Sequence, residues 1–193
     1  MTSRVPAAND PATKLAAALD QLARARRLHR QGIATARGLS PLQLDILQAL
    51  VAGGPSAGAV GSLARELGVS QPTMSDAVKA LERKSLVARS TQAGGRPRGL
   101  LTVTDAGVTA AAFEDPVVAI ARDLPDHLRE DLLAATLAII AGLLELGVIT
   151  VARNCLTCSF HRHDAGGHHC QLLEIDLAPA DLRVTCPDHE PAA

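Results

Sequence analysis

The 193-residue chain contains no tryptophan, no tyrosine and only two phenylalanines. A core without aromatic rings must be built from Ala, Leu, Val and Ile, which suits helices packed on helices. Long hydrophobic runs are also missing. The most apolar stretch, Leu132–Leu144, is 13 residues long and is closed by Glu145. That is too short to cross a bilayer and reads as a helix buried between neighbours. The first 13 residues hold Asn9, Asp10 and two prolines and no apolar run, so a secretory signal is not expected. Residues 1–11 read as a disordered leader, and the chain as cytoplasmic, with no membrane partner. Catalytic signatures are absent as well. There is no Ser/His/Asp spacing, no phosphate-cradling glycine loop and no convincing carboxylate pair, so an enzyme is not expected.

Cysteine is lacking from the first 154 residues and then concentrated. All four, Cys155, Cys158, Cys170 and Cys186, fall in the last 39 residues, among His161, His163, His168, His169 and His189. The spacing is Cys155-x2-Cys158, eleven residues to Cys170, fifteen to Cys186, then x2 to His189. A C-x2-C turn lets two sulfurs reach one centre, and two ligands arriving from afar complete a tetrahedron. Zinc fits, held by four thiolates or by three with His189 as the alternative fourth ligand. An iron–sulfur cluster on four cysteines fits too. Thiols without metal remain a third reading, because C-x-x-C is often redox active. The other tail histidines read as solvated or as supporting the ligands, and His29 and His127 as surface residues.

The net charge of −1 names no partner, but its distribution is uneven. Residues 59–100 carry seven basic side chains (Arg65, Lys79, Arg83, Lys84, Arg89, Arg96, Arg98) against three acidic, a net of +4. Residues 105–148 carry two basic against eight acidic, a net of −6. This asymmetry fits a nucleic-acid face and a solvated acidic region.

Apolar residues recur at three- and four-residue steps from Ala12 to Ala36 (Leu15, Ala18, Leu22, Ala25, Leu28), which predicts a helix. Ser40-Pro41 opens a second, with Leu42, Leu44, Ile46, Leu47 and Leu50 on its buried side. A short helix over 60–67 precedes one capped by Ser70 and running to Lys84. Met74, Val78 and Leu81 form its inner stripe, and Gln71, Ser75 and Lys79 its wet face. Val87–Arg89 and Leu100–Val103 are short strands joined by a Gly/Arg-rich hairpin over 91–99. Two further helices are predicted over about 105–124 and 127–147. The last is apolar nearly all round and is expected at a dimer interface.

A helix–turn–helix followed by a basic hairpin is a DNA-reading device. The stretch Leu39-Ser-Pro-Leu-Gln-Leu-Asp-Ile-Leu47, the run from Leu63 to Val87 containing Val69-Ser-Gln-Pro-Thr-Met-Ser75, and Leu101-Thr-Val-Thr-Asp-Ala-Gly107 together resemble the MarR family of winged-helix regulators. The resemblance covers residues 39–110. It implies a mainly α fold with a small β-wing: a winged helix-turn-helix (39–104) flanked by long N- and C-terminal dimerisation helices (12–38 and 105–150). The Cys/His-rich tail (151–193) lies outside it. The resemblance also implies a homodimer on double-stranded DNA. Gln71, Thr73, Ser75 and Lys79 fall on groove positions, and Arg96 and Arg98 on the wing tip. Gln and Ser suit base edges, while Lys79 and the wing arginines suit phosphates or the minor groove.

Three features depart from the family pattern. Gly94-Gly95 precede Arg96 where an Asp is usual, Asp76 stands where a basic or neutral residue is usual, and Ser85 replaces a helix-ending Gly. Regulators of this kind often take phenolic or lipophilic effectors. The near absence of aromatic rings weakens that expectation here, and the tail offers another input, sensing metal or redox state. The competing reading is a metal- or redox-handling protein whose helical domain contacts a protein partner.

Overall fold

The computed structural model describes residues 10–53, 58–90, 100–164 and 167–192. The chain divides into two compact units, residues 1–44 and 45–193. The first holds helix α1 (Pro11–Ala36) and the start of α2 (Pro41–Ala52). Asp10 caps α1 by accepting from the Thr13 amide at 3.0 Å, with Pro11 at the first helical position. Ser40 and Gln43 close a reciprocal box: each side chain accepts from the other's amide at 3.2 Å. Leu44 is fully buried, whereas Leu15, Leu22 and Leu28 of α1 stay exposed.

The second unit continues α2 with Ile46, Leu47 and Leu50 buried. It then runs through α3 (Val60–Glu66), α4 (Gln71–Arg83), β1 (Val87–Arg89), β2 (Leu101–Val103), α5 (Asp105–Ala111), α6 (Pro116–Arg122) and α7 (Asp126–Glu145). Strands β1 and β2 pair antiparallel, with Val87 opposite Val103 and Arg89 opposite Leu101. This is a winged helix: α3 packs on α4, α4 on β1, and β2 on α5. The expected stripe of Met74, Val78 and Leu81 is fully buried. Each such side chain contributes about 1.5–3 kcal/mol of transfer free energy.

Backbone geometry explains two residues. Ser85, just past α4, has φ +58°, in the left-handed region where glycine is favoured. Its departure from the family pattern is therefore a strained position. Gly107 sits where α5 crosses the end of β1, and a Cβ there would collide with the Leu86 carbonyl. Thr104 fixes that crossing. Its hydroxyl donates to the Ser85 and Leu86 carbonyls at 2.9 and 3.1 Å and accepts from the Gly107 amide at 3.1 Å.

Three expectations differ from what the single chain shows. The helix predicted over 105–124 is two helices. Pro116 has no amide to donate and disfavours a helical residue before it, so the chain opens at 112–115 and Asp115 caps a new start by accepting from the Val117 amide at 2.9 Å. Within the single chain, α7 is not buried all round. Leu137 is buried, but Leu128, Leu132 and Ile139 are exposed. His29 is half-buried rather than a surface residue. Among the described residues, no helix is long and apolar enough to cross a membrane.

Beyond α7 the chain forms a small module that the sequence reading left without strands. A 3₁₀ turn (Cys155–Thr157) leads into β3 (His161–Asp164), β4 (Gly167–Cys170) and β5 (Ile175–Leu177), then a second 3₁₀ turn (Pro179–Asp181). The strands form one antiparallel sheet in the order β3-β4-β5. Both turns pack on α7.

Candidate nucleic-acid interface and cysteine-rich module

Helix α4 presents a polar face because its apolar residues are spent on the core. Gln71, Thr73, Asp76 and Lys79 are exposed and Ser75 is half-buried. Ser70 caps the helix, its hydroxyl 2.8 Å from that of Thr73 and accepting from the Thr73 amide at 3.3 Å. The Gln71 amide reaches over α3, with Nε2 3.4 Å from where a Cβ on Gly61 would stand. Lys79 Nζ lies 3.4 Å from Asp76 Oδ1, both side chains well exposed. The acid that departs from the family pattern thus partly neutralises the helix's own basic residue. Arg89 Nε donates to Glu82 Oε1 at 2.8 Å, tying the root of the wing to α4. Arg96 and Arg98 lie outside the described residues.

The tail brings its four cysteine segments together through the backbone. The Cys155 amide donates to the Arg183 carbonyl at 3.1 Å, and the Cys186 amide to the Arg153 carbonyl at 2.9 Å. Cys158 bridges to Pro191, and Cys170 stands opposite His161 in the β3-β4 ladder. No disulfide joins the cysteines. Burial pushes the Cys155 thiol up, the Arg183 amide opposes this, and charge on Cys186, Cys158 and Cys170 adds to the rise. The Arg183 amide donates to Cys155 Sγ at 3.2 Å, and its guanidinium to Cys186 Sγ at 3.7 Å. Among the described residues, no three His, Cys, Asp or Glu side chains stand close enough to hold a single ion as placed.

Polar capping, rather than apolar packing, shapes the turn that carries Cys155 and Cys158. Asn154 is 1% exposed, and its side chain accepts from the Thr157 amide at 3.2 Å. Thr157 Oγ1 is 3.0 Å from the Ala152 carbonyl. His189 is bonded to the same turn. Its Nε2 donates to the Thr157 carbonyl at 3.0 Å and also lies 3.0 Å from the Thr157 hydroxyl. The His189 ring lines a cleft of about 360 Å³ shared with Ser62 and Arg65 of α3, and no cysteine lines that cleft.

The other tail histidines cluster along β3 and β4. His161 Nε2 is 2.9 Å from His168 Nδ1, and His163 stacks on His168 at 4.2 Å between ring centroids. Burial and the neighbouring imidazoles depress the basicity of His161, and burial and His163 that of His168. His169 Nδ1 is 2.8 Å from Asp176 Oδ1. Sequence reasoning found the residue types but missed this grouping, because only the strand register brings them together.

The module joins α7 through a small apolar cluster. Cys155 is buried with Leu137 and Leu182, flanked by Leu133, Ala134, Leu156 and Leu177.

The fold and sequence place the chain among known proteins as follows. Residues 37–97 match the sequence model of the MarR family. No curated protein matches the chain. A MarR-family transcriptional regulator from Silicibacter pomeroyi aligns with TM-score 0.56 and 20% identity, over 72% of this chain and 97% of that one. Staphylococcus aureus MarR, solved with salicylate and kanamycin, aligns with TM-score 0.57 and 14% identity, over 69% and 93% of the two chains. The S. aureus MepR–DNA complex aligns with TM-score 0.50 and 18% identity, over 67% and 97%. The architecture is that of MarR-type winged-helix proteins.

Proposed function

We propose that the chain is a MarR-type transcriptional regulator that binds double-stranded DNA as a homodimer. Its tail binds zinc or an iron–sulfur cluster and thereby senses metal or redox state. One observation carries the DNA-binding reading: α4 buries Met74, Val78 and Leu81 completely and offers Gln71, Thr73 and Lys79 to solvent, inside the segment that matches the MarR family. A helix so divided is positioned by its core to put polar side chains into a major groove. Ser75, half-buried, sits at the groove edge, and Arg96 and Arg98 act on the backbone or minor groove beside it. The solved MepR–DNA complex gives the fold a precedent for DNA binding. The dimer reading is supported by the exposed apolar side chains of α1 and α7, where Leu28 is 74% and Leu132 48% exposed.

The tail is joined to the reading head within the same unit. Arg65 of α3 and Thr157 and His189 of the tail line one cleft, and Cys155 shares a core with α7. A change of state at the cysteines acts on both helices through those contacts.

The test is selection of a binding site from random duplexes, followed by affinity measured across a salt series. Affinity should fall steeply as salt rises. Lys79→Ala should reduce the slope by about one phosphate contact. Asp76→Asn should tighten binding, by releasing Lys79. Salt-independent binding that ignores both substitutions would overturn the reading and favour a protein-contact role.

A further inference from the structure

Against α3, the tail closes a cleft of about 360 Å³. Small-molecule sites usually span about 300–1,000 Å³. Most of its lining residues lie between Thr150 and Ala192, outside the segment that matches the MarR family. The tail therefore builds this cleft, with Ser62 and Arg65 of α3 and Leu144 of α7 completing it.

The lining is divided in its chemistry. Leu144, Val151 and Pro191 supply aliphatic surface, and no Phe ring joins them. The ionisable side chains are Arg65, Arg153 and His189, and no carboxylate side chain lines the cleft. Arg65 is exposed, and its one bond among the described residues is a long one: Nη2 donates to Ser62 Oγ at 3.5 Å. Among those residues it has no acidic partner. A guanidinium offers a flat fork of N–H donors that matches a carboxylate through two parallel bonds. His189 adds a second polar point. Its Nε2 proton is committed to Thr157, and Nδ1 makes no bond among the described residues.

We propose that this cleft binds a small aliphatic carboxylate. The carboxylate sits on Arg65 and Ser62, and the hydrocarbon lies along Leu144, Val151 and Pro191. One guanidinium without an acidic partner matches a single negative charge. A phosphate group carries close to two charges at neutral pH and gains nothing from the aliphatic wall. An aromatic acid finds no Phe ring there to stack on. Charge and wall act together, because an exposed ion pair alone contributes little. Each methylene buried beside it raises affinity roughly fourfold. A molecule held this way bridges α3 and the tail. The site is independent of what the cysteines hold and of DNA binding.

Calorimetric titration of the full chain with sodium octanoate, below its micelle-forming concentration, tests the site. One saturable site per chain is expected. Hexanoate should bind more weakly, and octanol, which lacks the charge, about tenfold more weakly or worse. Arg65→Gln should weaken octanoate by about tenfold, the scale of one hydrogen bond to a charged group, and leave octanol unchanged. Arg65 is exposed, so this variant keeps the buried core. Amide shifts on the wild-type chain provide a second readout: octanoate should move Val151 and Ala192. Titrations that never saturate would overturn the proposal, as would octanoate and octanol binding alike. Binding that ignores Arg65→Gln and leaves the Val151 amide unmoved would put the acid on another apolar surface and overturn the site. Displacement of octanoate by inorganic phosphate would overturn the ligand class. The salt series on DNA, run without octanoate, decides the regulator reading separately.

Discussion

The winged helix and the cysteine module belong to the same unit, yet they are held together by different physics. Around α3 and α4, Leu63, Met74, Val78 and Leu81 are almost completely excluded from water. Shape is set there by side-chain volume, and the backbone follows. In the tail the backbone leads. Buried Asn154 and Thr157 fix one turn, main-chain bonds join Ser159 to Glu190 and Cys186 to Arg153, and apolar burial is confined to the seam with α7. The contrast shows that a segment can be well defined by hydrogen bonds while burying little apolar surface of its own. Main-chain bonds contribute only about 1 kcal/mol each once water is counted. The winged helix is held by its core, and the tail by main-chain bonds and its seam with α7.

Three perturbations sharpen that difference. The largest effect should come from stripping metal with a chelator under reducing conditions. Hydrogen exchange is then expected to lose protection across β3–β5, with α3 and α4 unchanged. Equal loss in both regions would erase the distinction. Next is Leu81→Ala, which should cost about 3 kcal/mol by leaving a cavity in the winged helix. Denaturant melts should move accordingly, while the metal content of the folded protein stays constant. Smallest is Ser85→Gly. Relieving a left-handed serine should raise stability by about 1 kcal/mol, since only glycine takes that conformation without strain. A decrease would mean that the helix end gains more from the serine than its backbone loses.

The two regions were also unequally legible in the sequence. The winged helix follows from spacing: Met74, Val78 and Leu81 are one helical face, Ser70 is a cap, and Ser85 stands out because the position calls for glycine. The break after α5 left its mark in Asp115-Pro116, but the apolar rhythm on both sides conceals it. The burial expected of α7 could not follow from one chain, because its apolar side chains face outward there. The tail's strands carry no such rhythm. His161-Arg-His-Asp164 alternates no apolar residue, because those strands cover almost no core. Cysteine spacing alone singled out the tail, and spacing could not tell that His189 bonds Thr157. That choice depends on a bond between residues 32 apart in sequence.

Leu137 gives the seam a practical meaning. A boundary drawn at residue 150 looks natural, because the matched solved structures cover about two thirds of the chain. Cutting there would uncover the only buried side chain of α7 and leave a greasy stripe facing water. A shortened protein made for crystallisation or delivery is therefore expected to be sticky, and Leu137→Gln is the substitution that should restore its solubility.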